Sequence, residues 1–174
     1  MPHLQSIRRA WQTILELVPV AAYSCDAEGR ITYFNPRAGA VWGRPVRLHD
    51  RRTRYCGSHR LYGGNGAPMR HDECWMARAL LEDRSYNGRG VQIERPDGSR
   101  VHGLAHANPV HNVRGGVIGG VNLIADLTPS RSAPGTDVLA IIDIALGVLA
   151  GLRWPAPAFA AHVNGEIRAQ LRGH

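Results

Sequence analysis

The sequence predicts an α+β domain: a five-stranded antiparallel sheet with helices on one face, plus N- and C-terminal flanking helices. Three observations predict it. Strand-like runs occur in two groups, each joined by tight Gly-, Pro- or Asn-containing turns. Helical periodicity lies between and outside those groups. Hydrophobic residues make up 44% and charged residues 20% of the 174-residue chain, the balance of a globular domain rather than a disordered one.

The elements follow in order. Leu4, Ile7, Trp11, Ile14 and Val18 recur at three- and four-residue spacing, which predicts an amphipathic helix from about His3 to Leu17. Pro19 ends it. Ala21 to Asp26 and Ile31 to Phe34 are strands joined by a turn at Gly29, a hairpin. Asn35-Pro36 closes the second strand and opens a short helical piece through Ala40, Val41 and Trp42. Arg44 to Arg70 has no period and many glycines, so it reads as one long loop, and such loops are functional or poorly ordered. His71 or Asp72 caps a helix through Trp75, Met76, Ala79 and Leu80, and Asn87-Gly88 ends that unit.

Three strands come next: Gly90 to Arg95, Val101 to Val110 and Val117 to Ala125. Pro96-Asp97-Gly98-Ser99 and Arg114-Gly115-Gly116 turn the chain between them. Residues 130–136 read as a linker, and helices are predicted at about 137–152 and 157–171. The domain organisation is then an N-terminal helix at 1–18, a central domain at 19–129, the linker at 130–136 and a helical extension at 137–174.

Composition narrows the chemistry. All 21 basic residues are arginine, against 14 acids, and the formal charge is +7. With no lysine there is no P-loop, Schiff-base or kinase-type lysine. The arginine excess has two readings, the codon bias of a GC-rich genome and an evolved surface for polyanions. Three scattered cysteines build no disulfide scaffold and suit a reducing, cytoplasmic setting. The first nine residues have no apolar run of the signal-peptide kind. Val138 to Leu152 is shorter than the roughly 20 residues of a membrane span, so no membrane association is expected.

The order of elements and several segments resemble the PAS sensory domain. These are the run from Leu17 to Pro36, the run Glu94-Arg95-Pro96-Asp97-Gly98-Ser99-Arg100, and the run from Gly119 to Thr128. In that family the first strand pair ends in an Asn-like residue entering a helix, the place Asn35 takes. The last strand ends in Asp-x-Thr, which Asp126 and Thr128 fill, and there signal passes to the following helix. Tyr55-Cys56-Gly57-Ser58 and His71-Asp72-Glu73-Cys74 look similar to a subset of bacterial PAS domains.

The resemblance implies a sensor of the kind found in bacterial two-component signalling. A small ligand or cofactor sits between the concave sheet and the loop helices, and output runs through flanking helices that dimerise. The residues after Thr128 carry no effector motif. The expectation is therefore a stand-alone homodimeric module acting on a signalling protein in trans, or a remnant that no longer signals.

Site residues follow from that mapping. Gly103, Ala105 and Ala107 alternate on one strand face and, by the resemblance, point inward, leaving room for a small organic ligand. Gly120, Asn122 and Ile124 do the same on the last strand. Asn122 then needs a partner, either a ligand or buried water on one reading, or backbone or a neighbouring side chain on the other. Trp42, Trp75 and Met76 complete the expected ligand cup.

Cys56, His59, His71 and Cys74 form two close pairs, the spacing of a tetrahedral zinc site that would staple the loop. The alternative function is accordingly a zinc-stapled structural adaptor; against it, His71 serves as a helix cap and Cys74 as an ordinary buried thiol. His59 or His71 is also the only histidine placed as an axial heme ligand. His102 and His106 lie about 13 Å apart on a strand and cannot share an ion.

Tyr55-Cys56-Gly57 lacks the Asn-Cys-Arg run of flavin photoadduct domains, and no nucleophile–base motif appears, so no enzyme is expected. Seven arginines between Arg37 and Arg60, with Asp50 the only acid, read as a solvated loop, or as the face of an arginine-driven nucleic-acid binder. The apolar stripes of the terminal helices serve either a dimer or packing over the outer sheet face.

Overall fold

The computed structural model describes Thr13, Leu15, Glu16 and residues 20–112 and 114–128. The predicted N-terminal helix is represented by Thr13, Leu15 and Glu16, all helical. The linker and the two C-terminal helices lie outside the described residues.

Seven strands form one antiparallel sheet: β1 (Ala21–Asp26), β2 (Ile31–Phe34), β3 (Arg60–Gly63), β4 (Pro68–Met69), β5 (Tyr86–Glu94), β6 (Arg100–His111) and β7 (Val117–Asp126). Their spatial order is β2-β1-β7-β6-β5-β3-β4. Two helices, α1 (Pro36–Trp42) and α2 (Trp75–Leu81), cover one face, and a 3-10 turn at His71–Glu73 leads into α2. The expected fold class holds as an α+β PAS-like sheet, with a correction to the strand count. The segment from Arg44 to Arg70 is not all loop. It holds the β3–β4 hairpin, which extends the sheet by pairing Leu61 with Ile93.

That hairpin escapes periodicity because its strands are four and two residues long. Its turn is built by Asn65, whose side chain accepts from Ala67 N at 3.1 Å, and by the Gly63 N–H to Ala67 carbonyl bond of 2.8 Å. A second correction concerns Asn87-Gly88. Rather than ending the helical unit, these residues lie inside β5, where the register shifts between Tyr86 and Arg89. Gly88 has φ +62, and its N–H turns aside from the ladder to donate to His106 Nδ1 at 3.2 Å.

Asn35 ties the sheet to α1. Its Oδ1 accepts from Ala38 N at 2.9 Å, an N-cap, and from Ala22 N at 3.0 Å. Its Nδ2 donates to the Val20 carbonyl at 2.9 Å. One buried side chain thus fixes where β1 begins and where α1 starts.

The core lies between the inner sheet face and the helices. Tyr23, Ile31, Trp42, Met76 and Ile93 are among its fully buried members, each worth on the order of 2 kcal/mol in removed apolar surface. Outward-facing Ala22, His106, Val121, Leu123 and Ala125 are buried as well, so parts of β1, β6 and β7 are buried on both faces.

Candidate ligand-binding site

Tyr23, Asn122 and Ala107 stand side by side on β1, β7 and β6, because Asn122 pairs in register with both of the others. Alternation turns all three inward. The Asn122 amide donates to the Tyr23 hydroxyl at 3.0 Å, and its Oδ1 accepts from His106 N at 3.0 Å. The Tyr23 hydroxyl donates onward to the Tyr55 carbonyl at 2.8 Å. Burial first, then the nearby thiols of Cys56, Cys74 and Cys25, hold that hydroxyl protonated well above the ordinary phenol range. Tyr23 is therefore a constant donor to the loop. Of the two readings left open for Asn122, neighbouring protein groups supply its partners.

The cup itself is nearly full. Between the sheet and α2 a cavity of ≈ 10 Å³ remains, bounded by residues including Trp75, Ala105, Asn122 and Ile124; that is room for about one water. Gly103 and Ala107 lie elsewhere on the inner face. Met76 fills the space over Gly120, where an added Cβ would fall 2.7 Å from the Met76 sulfur. Trp42 packs edge-on to Tyr23 at 5.2 Å and against the Gly57 backbone, which only a glycine permits.

Several cavity-lining residues had no place among the expected site residues: Tyr23, Leu61, Val91 and Ile93. Inward alternation along β1 and β5 was the signal for all but Leu61, whose strand was not recognised.

Cys56 and Cys74 line this cavity, and Cys25 is buried within electrostatic reach of both. Burial pushes all three thiols up, Cys74 to about 12. The Cys56 thiol donates to Ser58 Oγ at 3.3 Å. Ser58, Tyr23 and the Trp42 indole favour its thiolate, less strongly than burial opposes it. The Trp42 N–H has no full hydrogen-bond partner; it influences the sulfur without reaching bonding geometry.

His71 Nε2 lies 3.1 Å from both the hydroxyl and the carbonyl of Ser58. A carbonyl only accepts, so that contact places the proton on Nε2 and leaves no lone pair there for a general base. His59 is exposed. Of the four residues expected as zinc ligands, Cys56, His59 and His71 border one open recess, while Cys74 lines the inner cavity with Cys56. Among the described residues, no group of three or more His, Cys, Asp or Glu side chains is arranged to hold a metal ion.

On the outer side of Cys56 lies an open recess of ≈ 530 Å³, whose lining includes Arg44, Arg52, Arg54, His59, Arg70 and His71. Cys56 borders both spaces. Arg44, Arg52 and Arg54, read from the sequence as part of a solvated loop or a nucleic-acid face, thus line one open recess.

At the far end of β7, the Asp126 carboxylate accepts from Thr128 N at 2.8 Å. The Thr128 hydroxyl accepts from His102 N at 3.1 Å, and Leu127 N donates to the His102 carbonyl at 2.7 Å. The expected relay residues clamp the end of β7 to the start of β6.

The PAS fold family matches residues 15–132 of the chain. Among solved structures, the Rhodobacter sphaeroides LOV protein is similar with a TM-score of 0.60 at 17% identity, over 97% of this chain and 98% of that one. The PAS domain of the fruit-fly ELK potassium channel gives 0.52 at 17% identity, over 72% of this chain and 98% of its own. No curated protein matches. At such identities the likeness to these structures is one of fold.

Proposed function

The chain belongs to the PAS fold family of sensory and signalling domains, and on that premise we propose a non-catalytic sensor that couples events at the loop side of its cup to the exit of β7. The observation that supports this reading most directly is the buried chain from the Tyr55 carbonyl through Tyr23 to Asn122 and the β6 backbone. It joins the loop that borders the recess to the strand whose end carries Asp126 and Thr128. A change in the loop alters the partners of Tyr23, and the cost of leaving buried polar groups unpaired is borne at β7. Output then passes to the flanking helices, in a cytoplasmic homodimer, and to a signalling protein in trans.

Hydrogen exchange on the full chain tests the coupling. Tyr23→Phe is expected to raise exchange both in residues 52–58 and in β7. Faster exchange in the loop alone would refute it. The filled cup adds a second expectation: in this conformation it has no room for a heme or flavin. The purified protein should accordingly show no visible absorption, and its native mass should be that of a dimer.

A further inference from the structure

The recess beside Cys56 is unlike an ordinary basic surface in how its charges are disposed. Arg70 is paired with Asp72 through Nε and Nη2, with bonds of 2.9 and 2.7 Å. Arg54 gives its Nε to the Glu28 carbonyl at 2.6 Å and its Nη2 to the Tyr55 hydroxyl at 2.8 Å. Arg44 spends only Nε, on the Gly57 carbonyl at 2.7 Å, a bond that fixes the side chain in place. Among the described residues, the terminal nitrogens of Arg44 and the whole Arg52 guanidinium meet no carboxylate.

Among the described residues, Asp72, already held by Arg70, is the only acid lining the recess. His71 lines the inner wall with Nε2 donating to Ser58, so its Nδ1 is an acceptor and the arginines supply the donors. Burial is the main cause of the lowered His71 pKa; Arg44 and His59 add to the effect, and Ser58 and Asp72 oppose it.

We propose that this recess binds one small oxyanion, a carboxylate- or phosphate-bearing metabolite, seated between Arg44 and Arg52 with His71 at its inner wall. Guanidinium groups match both oxyanions through paired N–H donors. The loop backbone beneath, held at Tyr55 in a left-handed conformation with φ +66, carries the carbonyl that Tyr23 reads. The site gives the sensory reading its ligand class, and rests on that reading only for the consequence of binding.

The experiment is a titration of the full-length protein with inorganic phosphate and, separately, with succinate. Backbone amide shifts of residues 52–58 are followed at constant ionic strength. Saturable one-site binding in either arm supports the site, and the stronger arm names the oxyanion. Arg52→Gln, which breaks no bond within the fold, is expected to weaken binding about tenfold or more. Arg44→Gln is expected to do the same, and Arg51→Gln, outside the recess, to leave binding unchanged.

No saturation in either arm by about 10 mM overturns the proposal, as does equal weakening by Arg51→Gln and Arg52→Gln. Tighter binding of a mixed-sequence oligonucleotide, lowered equally by those two variants, overturns it in favour of a polyanion surface. Oxyanion binding with unmoved β7 amides would keep the site and count against the sensory reading. Absent binding with the Tyr23→Phe effect on β7 intact would do the reverse.

Discussion

Tyr23 on β1 and Asn122 on β7 face each other in register, and the asparagine amide donates to the tyrosine hydroxyl at 3.0 Å inside the core. Each satisfies the other and one backbone group besides, so neither is replaceable alone. Tyr23→Phe leaves the Tyr55 carbonyl and the Asn122 amide without this partner, at an expected cost of about 1–3 kcal/mol. Asn122→Ala should cost as much. The double variant should cost less than the sum, and urea denaturation of all four proteins measures that coupling. Strict additivity would mean the two side chains act independently.

Asn35 makes one cap bond and two bonds that anchor β1. Asn35→Ala strands the Ala22 N–H and the Val20 carbonyl in a buried setting. The expected loss is about 3 kcal/mol, above the usual N-cap penalty of about 1. A thermal or urea midpoint shifted by only the cap penalty would show that the β1 bonds are readily replaced.

Acid should destabilise the fold well above the carboxylate range. Burial lowers the His106 pKa to about 4 and that of His71 below its usual value. Both bind protons more tightly when unfolded. Their contribution is therefore complete above about pH 6.5 and is lost as pH falls toward about 4, with His106 alone worth on the order of 3 kcal/mol. Glu94 and Asp97, lowered by Arg100 and Ser99 respectively, add to the loss only at still lower pH. Urea midpoints at about pH 7.5, 5.5 and 4.5 read the slope. His106→Gln should flatten it, and an unchanged slope would place the titration elsewhere.

The three free cysteines, all buried with raised pKa values, should resist an aromatic disulfide reagent at mildly alkaline pH while the protein is native. All three should react once urea unfolds it. Rapid labelling of Cys56 in the native protein would mean the wall between cavity and recess opens readily.

Much of the sheet was legible because its signals are local. A strand–turn–strand pattern marked β1, alternation marked β6 and β7, Asn35-Pro36 marked the start of α1, and small residues marked the inner face of β6. The β3–β4 hairpin was not, since its strands are too short to show a period and are held by pairing with β5. Asn65-Gly66 was the available hairpin signal. Asn87-Gly88 misled because the same dipeptide serves a bulge as well as a stop. The arginine recess was illegible for a different reason. Arg44, Arg52 and Arg70 meet only through the folding of a loop without periodicity, and which of them is already paired is decided by bonds to Gly57 and Asp72.

Cys56 borders the inner cavity on one side and the open recess on the other. One residue therefore touches both the core and the surface of the domain there. Substituting glycine would remove the side chain that the ≈ 10 Å³ cavity and the ≈ 530 Å³ recess have in common. A substitution at this one position is therefore expected to alter the core and the surface of the domain together.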